Sequence, residues 1–333
     1  MFRLEPETAH HLALEALNAA RQFHLLGRRQ ILVPRTVMGI DFPNPVGLAA
    51  GLDKDGVYID ALAALGFGFI EVGTVTPRPQ TGNPRPRLFR LPRARAIINR
   101  MGFNNKGVDN LLSNIERSDY SGVLGINIGK NFDTPLEQAV DDYLIVLRKV
   151  YARASYVAVN ISSPNTPNLR RLQQHDALLE LLRILKSEQG RLAQQHGKYV
   201  PFAIKIAPDL TDAEVMEIAT LLREQGIDAV IATNTTLDRQ GVDQLPHGKE
   251  VGGLSGAPLM RRATGIVSQL HSVLHDDVPI IAVGGIMDAS DAVSKARAGA
   301  SLVQLYSGFI YRGPRLIHEV AMALQCLDKD KLE

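Results

Sequence analysis

Short apolar runs recur along the chain, and most of them end in Gly, Asn, Thr or Ser. Eight such runs, rich in β-branched residues, lie at residues 45–51, 69–76, 123–130, 156–163, 202–207, 229–236, 279–285 and 302–308. A nearly continuous apolar run is typical of a strand that is buried on both faces. Helical patterns separate most of the runs, and the one at residues 211–225 opens with a Thr-Asp capping signal. This alternation predicts an α/β fold, a (β/α)8 barrel with a parallel sheet.

Two connections between predicted strands, about residues 77–122 and 237–278, are too long for a single helix. Both follow strands, so we expect both on the face where barrel enzymes keep their active sites. The first carries five prolines interleaved with six arginines between residues 77 and 95. Because proline excludes a helix there, we predict an extended loop or hairpin that arches over the barrel.

Residues 1–40 precede the first predicted strand and do not fit the repeat. Apolar residues at helical spacing predict one helix over residues 6–21 and a second over about residues 22–30. Two hypotheses fit this pattern: a helical pair packed on the barrel, and a small amphipathic module that dips into a membrane surface. The predicted domains are therefore a helical extension, residues 1–40, and a barrel domain, residues 41–333.

Composition narrows the class of protein. The 333 residues include 37 Lys+Arg and 35 Asp+Glu, a formal net charge of +2, which argues against a polybasic nucleic-acid-binding protein. The single cysteine, Cys326, has no partner for an intrachain disulfide. No apolar run approaches the ~18 residues of a transmembrane helix. We expect a soluble-type intracellular protein.

Polar side chains interrupt the ends of four predicted strands, at Asn127, at Asn160, at Lys205 and at the pair Thr233 and Asn234. A polar group in a buried strand needs a hydrogen-bond partner or costs about 1–3 kcal/mol. Four strands that contribute such groups at corresponding depth predict a polar pocket, and amides suit a flat heterocycle with carbonyl and N–H groups. Lys205 either loses its proton through desolvation or pairs with an anion, such as a carboxylate on a neighbouring strand.

Glycines follow the seventh and eighth predicted strands, in the segments 284–285 and 306–308. In many barrels the loops after these two strands bind phosphate through backbone N–H groups, and glycine permits a close approach. We therefore predict an anion site at this end of the barrel.

Ser163, directly after the fourth predicted strand, is the candidate for proton chemistry, although Ser, Pro and Asn in this segment also suit a simple turn. The sequence contains no G-x-S-x-G elbow, no Cys/His cluster with metal-ligand spacing and no Walker loop. Hydrolytic, zinc-dependent and nucleotide-triphosphatase functions therefore have no residues to support them.

Six motifs resemble those of the dihydroorotate dehydrogenase family. They are NPVGLAAGLDKDG (44–56), NRMGFNN (99–105), NISSPNT (160–166), IATNTT (231–236), GGLSG (252–256) and LVQLYSG (302–308). The resemblance runs in order from about residue 2 to residue 315. The chain is similar to the class 2, quinone-linked, membrane-associated bacterial form, because a serine, Ser163, stands where class 1 members have a cysteine and because a helical module precedes the barrel.

The resemblance implies a flavoprotein that oxidises dihydroorotate to orotate in de novo pyrimidine biosynthesis, with FMN as cofactor and a quinone as electron acceptor. Residues implied to hold FMN are Ala50, Gly51, Thr74, Asn127, Asn160, Lys205, Thr233, Gly256, Gly285, Tyr306 and Ser307. Residues implied to contact the substrate are Lys54, Asn99, Arg100, Met101, Gly102, Phe103, Asn160, Asn165, Asn234 and Thr235. Ser163 is implied to take the C5 proton while hydride leaves C6 for the flavin N5. The quinone is implied to enter near His10, Arg90 and Tyr306.

The resemblance also implies a monomer on the cytoplasmic side of the membrane as a peripheral protein, with no metal and no nucleic-acid partner. Three other hypotheses stay open. A tRNA dihydrouridine synthase needs a basic RNA-binding face, which a +2 chain does not offer. A Schiff-base aldolase built on Lys205 leaves Ser163 and the asparagines unexplained. A catalytically silent membrane-surface scaffold would be purified without flavin.

Overall fold

The computed structural model describes residues 4–26 and 31–330. Its strands are β1 (Arg35–Val37), β2 (Ile40–Phe42), β3 (Val46–Leu48), β4 (Phe69–Val75), β5 (Leu88–Leu91), β6 (Ala96–Asn99), β7 (Val123–Ile128), β8 (Tyr156–Asn160), β9 (Phe202–Ile206), β10 (Ala229–Ala232), β11 (Gly253–Gly256), β12 (Ile280–Val283) and β13 (Ala300–Leu305). Its helices are α1 (Pro6–Gln22), α2 (Ile59–Ala63), α3 (Val108–Arg117), α4 (Ala139–Val150), α5 (His175–His196), α6 (Asp212–Glu224), α7 (Met260–Leu274), α8 (Ala289–Arg297), α9 (Ser307–Arg312) and α10 (Arg315–Asp330).

Eight parallel strands close into a barrel in the spatial order β10-β12-β13-β3-β4-β7-β8-β9. Each coincides with one of the eight apolar runs, and a helix follows each of them along the chain, so the predicted (β/α)8 barrel is confirmed. The helix predicted over residues 211–225 is α6. Thr211 caps it by accepting a hydrogen bond from the N–H of Glu214, whose side chain accepts from the N–H of Thr211 in return.

The barrel strands divide their side chains between two cores. Outward-facing residues such as Val72 and Val159 join the large core between strands and helices. Inward-facing residues form a smaller one, the interior core, which includes Phe69 and Tyr156. A Cβ on Gly125 would collide with the Tyr156 ring, so glycine on β7 makes room for an aromatic side chain inside the barrel. The barrel is therefore filled by apolar groups below its carboxyl ends.

The two long connections pair with each other. β5 and β6 form the hairpin predicted in the first connection, and β11 from the second pairs antiparallel with β6, from Gly253 opposite Asn99 to Gly256 opposite Ala96. The resulting sheet has the order β11-β6-β5. The sequence predicted neither β11 nor its pairing, because a four-residue segment rich in glycine carries no strand pattern.

The first predicted N-terminal helix is confirmed as α1. The second is wrong for residues 23–26, which form a turn, while residues 27–30 lie outside the described part of the chain. His24 has a φ of 54°, and the N–H of Leu25 closes on the carbonyl of Ala20, an arrangement that ends a helix. The hairpin of β1 and β2 adds Val37 and Phe42 to the interior core. It spans the predicted boundary between residues 40 and 41, so the division of the chain there stays a prediction.

A buried ion pair fastens α1 to the barrel. Glu7 accepts hydrogen bonds from Nε and Nη2 of Arg87, at 3.1 and 2.7 Å, and both side chains are buried. Arg85 lies 3.0 Å from the same carboxylate. Burial alone would raise the pKa of Glu7, but the hydrogen bonds and charges of Arg87 and Arg85 lower it below its ordinary value.

Substituting Glu7→Gln should destabilise the fold by about 3–5 kcal/mol, because the Arg87 guanidinium then stays buried without its counter-charge. The free energy of unfolding in urea measures this loss. In the wild type the contribution of Glu7 is present above its ordinary carboxyl pKa and is lost as the pH falls through the lowered, folded pKa. Glu15→Gln is the control: it removes the charge of an exposed carboxylate that accepts a hydrogen bond from Tyr58, and it should cost under about 1 kcal/mol. Equal losses in the two variants would contradict the prediction.

Candidate active site

A pocket opens at the carboxyl ends of the barrel strands, and the empty space in it is about 990 Å³ when the open solvent at its mouth is included. Most of the predicted site residues line it, namely Ala50, Gly51, Lys54, Thr74, Asn99, Met101, Gly102, Phe103, Asn160, Ser163, Asn165, Lys205, Thr233, Asn234, Thr235, Gly256, Gly285, Tyr306 and Ser307. These residues come from almost every strand end and from both strands β6 and β11 of the small sheet.

Two predicted residues lie close to the pocket without lining it. Asn127 stands behind Thr74, whose Oγ1 donates to its Oδ1 at 2.6 Å. The Arg100 side chain points away, because it follows Asn99 on the chain and takes the opposite direction. It pairs with Glu250 at 2.7 Å and lies over the Phe89 ring at 4.6 Å. The segment Asn99–Phe103 therefore lines the pocket through its other members, and a contact between Arg100 and the substrate stays a prediction.

His10 and Arg90, predicted near a quinone entrance, lie where α1 meets the barrel. Arg90 donates a hydrogen bond to the carbonyl of Leu4, just before α1. His10 lies beside Lys54 on the pocket wall, and its burial, followed by the charge of Lys54, lowers its pKa to about 4. His10 is therefore neutral at physiological pH. Tyr306 lines the pocket itself, and burial raises its pKa to about 12.

The asparagine side chains hold one another in place. Asn160 Nδ2 donates to Thr74 Oγ1 at 3.0 Å, while its Oδ1 accepts from Asn234 Nδ2 at 3.3 Å. Asn165 Nδ2 donates to the carbonyl of Asn99 at 3.1 Å and to its Oδ1 at 3.3 Å. Because each amide has a fixed donor and acceptor side, the wall presents a defined hydrogen-bonding pattern to a ligand.

Two lysines supply positive charge. Lys54 Nζ donates to the carbonyl of Gly51 at 2.8 Å, and burial, followed by the charge of Arg87, lowers its pKa to about 8. Lys205 is buried on β9, and burial lowers its pKa while the carboxylate of Glu71 acts in the opposite direction. Its Nζ lies 3.9 Å from Oε1 of Glu71. Both alternatives raised for Lys205, desolvation and an anionic partner, therefore apply together.

The end of the pocket formed by the loops after β12 and β13 depends on glycine. Gly256 and Gly285 have φ values of 102° and 82°. A Cβ on Gly285 would also collide with the backbone of Met260. Ser307 Oγ donates to Ser255 Oγ at 2.9 Å beside them. This end therefore combines hydroxyls with closely approachable backbone, as an anion site requires.

Ser163 is buried at the pocket wall, and its Oγ accepts a hydrogen bond from the N–H of Asn165 at 3.2 Å. Thr166, in the same loop, has a buried Oγ1 without a hydrogen-bond partner among the described residues. The Oγ1 of Thr235, which follows β10, is in the same situation. A bound ligand or water would supply the hydrogen-bond partner that each of these hydroxyls lacks.

The sequence analysis missed Glu71 and Gln304. Gln304 lines the pocket, and its Nε2 donates to Oε2 of Glu71 at 2.6 Å. A signal was available for both, because each is a polar residue inside an apolar run, Phe-Ile-Glu-Val at 69–72 and Leu-Val-Gln-Leu at 302–305. Their side-chain contact was not predictable, since it crosses the barrel interior.

A closed parallel barrel with a polar pocket at its carboxyl ends and two lysines on the pocket wall defines the class of (β/α)8-barrel enzymes. The sequence profile of the dihydroorotate dehydrogenase family matches residues 32–327. The chain belongs to the dihydroorotate dehydrogenase family, and it is an oxidoreductase. This membership argues against the aldolase and tRNA-modifying hypotheses.

Similar proteins extend over nearly the whole chain. The protein named dihydroorotate dehydrogenase (quinone) of Nitrosospira multiformis is 63% identical, over 97% of this chain and 93% of that relative. The one of the same name from Pseudomonas syringae pv. tomato is 60% identical, over 99% and 97%. The crystal structure of DHODH from Eimeria tenella in complex with ferulenol superposes with a TM-score of 0.89 at 39% identity, over 98% of this chain and 93% of that one.

Proposed function

We propose that this protein oxidises dihydroorotate to orotate for pyrimidine biosynthesis, with FMN as its resident cofactor and a quinone as the electron acceptor. The observation that carries the proposal is one pocket that combines Ser163, two partly desolvated lysines and a wall of fixed amides. Its relatives of about 60% identity are named as quinone-dependent enzymes of this reaction.

The residues present fit FMN. The pocket has a glycine-rich end with two serine hydroxyls, which suits a phosphate group, and the buried Gln304 Oε1 on its wall has no partner among the described residues. The residues that would hold FMN are Ala50, Gly51, Thr74, Asn160, Lys205, Thr233, Gly256, Gly285, Tyr306 and Ser307, with Asn127 acting through Thr74. The chemistry that FMN would supply when bound is acceptance of the hydride that leaves C6 of dihydroorotate.

Ser163 is proposed to take the C5 proton of the substrate. A serine hydroxyl is a weak base, so the proton must pass to another group as it arrives. The unpartnered Oγ1 of Thr166, three residues further along the same loop, supports a relay through this hydroxyl or through water. The fixed asparagines around Ser163 position the substrate ring, and Lys54 binds the substrate carboxylate.

Substituting Lys54→Met should lower kcat/KM for dihydroorotate by roughly 30- to 1,000-fold, because a desolvated charge contact is lost. The wild type should lose affinity as the pH rises through about 8, since the Lys54 ammonium gives up its proton there. The variant should lack this inflection. Steady-state kinetics against pH measure both effects, and Lys106→Met, an exposed lysine outside the pocket, is the matched control. An unchanged KM in Lys54→Met would exclude the contact.

The quinone is proposed to reach the flavin between α1 and the barrel, past His10, Arg90 and Tyr306. The outer side of this region is apolar: Phe23 and Leu25 are 74% and 75% exposed, and Leu4, Leu12 and Leu32 are exposed as well. Exposed apolar side chains on a helix and in the segments beside it suit peripheral binding to a membrane surface, where quinones dissolve. We propose the cytoplasmic side of the membrane. No helix within residues 4–26 and 31–330 is long and apolar enough to cross a bilayer.

Initial rates of dihydroorotate oxidation with a short-chain quinone and with fumarate test the proposed function. Turnover with quinone and none with fumarate would support both the reaction and the acceptor. Turnover with fumarate alone would support oxidation of dihydroorotate in the barrel pocket and would exclude quinone as the electron acceptor. A colourless preparation without flavin and without turnover would favour the scaffold hypothesis.

A further inference from the structure

A polar layer centred on Glu71 separates the interior core from the pocket. The Glu71 carboxylate on β4 is fully buried and accepts hydrogen bonds from three other strands. The donors are Asn127 Nδ2 at 2.8 Å, Tyr156 Oη at 2.7 Å and Gln304 Nε2 at 2.6 Å. Lys205 Nζ, from a fourth strand, lies at 3.9 Å. Side chains from β7, β8, β9 and β13 therefore converge on one carboxylate.

The layer is built for a carboxylate. Each neighbour of Glu71 presents a donor, and a buried carboxylate is stable only when such donors surround it. Burial, and then the charge of Glu71, raises the pKa of Tyr156. The phenol therefore keeps its proton and donates a hydrogen bond to Glu71. An amide at position 71 would offer one oxygen to these donors and turn an N–H₂ group toward another donor.

Glu71 fixes which atom Gln304 presents to the pocket. Because Nε2 of Gln304 donates to Glu71, its Oε1 points away from the carboxylate; the reverse orientation would place two acceptors together. That Oε1 is buried and has no partner among the described residues, although Gln304 lines the pocket. An unpaired buried acceptor calls for a donor, and the ring N–H of a bound heterocycle is such a donor.

Glu71 also balances the charge of Lys205. Lys205 faces the pocket from β9, with burial favouring its neutral form and Glu71 favouring the ammonium. Glu71 on β4 is the charged group that pairs with Lys205. Tyr156 on β8 donates a hydrogen bond to the Glu71 carboxylate, and Lys54 lies on the wall of the same pocket. Without Glu71, the desolvated ammonium would have no counter-charge.

We propose that Glu71 is a positioning residue for the flavin: it turns the Gln304 oxygen toward a ring N–H of the cofactor and places a counter-charge beside Lys205. This proposal rests on the FMN-dependent function proposed above. It adds Gln304 to the residues that contact the cofactor and assigns to Glu71, which contacts no ligand, control of the flavin midpoint potential.

The test is a spectroelectrochemical titration of the purified holoenzyme and of Glu71→Gln between about pH 6 and about pH 9. In the variant, Lys205 should lose its proton within this range, because its counter-charge is gone. The midpoint potential should therefore fall more steeply with pH than in the wild type. Adding Lys205→Met to Glu71→Gln should remove the extra slope. FMN should also bind roughly tenfold more weakly in Glu71→Gln, because the Gln304 amide is no longer held in one orientation.

Two further variants separate positioning from folding. Gln304→Met removes the acceptor and leaves the pair of Glu71 and Lys205, so FMN binding should weaken roughly tenfold with the pH slope of the wild type. Tyr156→Phe removes one hydrogen bond to Glu71 without a change of charge, and it should also keep the wild-type slope. Thermal unfolding of each apoprotein shows whether the change is confined to stability.

The outcomes are distinct. If the midpoint potential of the Glu71→Gln holoenzyme equals that of the wild type at every pH, the claim that Glu71 controls the charge of Lys205 is wrong. If Glu71→Gln does not fold, the Gln304→Met variant decides, and wild-type FMN affinity in it would overturn the proposal. A wild-type protein that binds no flavin would instead contradict the proposed function and leave no cofactor for Glu71 to position.

Discussion

Ser163→Ala is expected to slow reduction of the bound flavin by dihydroorotate by roughly 10²- to 10⁴-fold, the usual contribution of a positioned general base. Flavin binding should be unaffected, because none of the hydrogen bonds that hold the asparagine wall runs through the Ser163 hydroxyl except the one from the Asn165 N–H. Stopped-flow absorbance of the flavin after mixing with substrate measures the reductive step without the quinone.

Ser163→Cys is the matched control for this loss. A thiol is somewhat larger than the hydroxyl and ionises more readily, with a pKa of about 8.5 in its free form. The cysteine variant should therefore retain more activity than the alanine variant, and its rate should rise with pH. Flavin reduction at the wild-type rate in Ser163→Ala would remove this residue from the mechanism.

Deletion of residues 1–26 is expected to leave flavin reduction by dihydroorotate close to the wild-type rate and to abolish reoxidation by quinone. The deletion removes α1 and the turn after it, together with His10 and the exposed apolar side chains of Phe23 and Leu25. It spares the hairpin of β1 and β2, which fills the lower end of the barrel; a deletion through residue 40 would damage the interior core.

The two half-reactions must be measured separately on the truncated protein. The reductive half is followed by stopped-flow, and the oxidative half by adding a short-chain quinone to the reduced protein. The deletion removes Glu7 and leaves the buried Arg87 without its counter-charge, which could destabilise the protein. Adding Arg87→Met to the truncated protein removes that unpaired charge, so a quinone defect that persists in it is not due to lost stability. Wild-type quinone turnover after the deletion would exclude a path along α1.

The barrel was predictable because its strands are buried on both faces. Below the pocket, most inward-facing residues belong to the interior core and most outward-facing residues pack in the core beneath the helices, so the strand becomes one apolar run that stands out in the sequence. The pocket residues at the strand ends were predictable for the same reason, since a polar side chain such as Asn160 or Lys205 is conspicuous in an apolar run.

Features that depend on long-range partners were not predictable. β11 is a strand because β6 lies beside it, and nothing in residues 253–256 alone favours that conformation. Arg100 lies in a motif that resembles a substrate-binding segment, but its partner, Glu250, is distant in the chain and draws the side chain outward. His24 ends the helix through a left-handed backbone conformation, with a φ of 54°, and the spacing of apolar residues does not predict this conformation.

The pairing of β6 with β11 also has a consequence for the synthesis and folding of the protein. One wall of the pocket contains Asn99 from the first half of the barrel and Gly256 from the second, and the two strands hold each other in place. A ribosome-bound chain that has completed its first five barrel strands therefore already carries Ser163 and Lys54 but has no wall to enclose a ligand. We therefore expect the nascent chain to be inactive until β11 has been synthesised and has paired with β6.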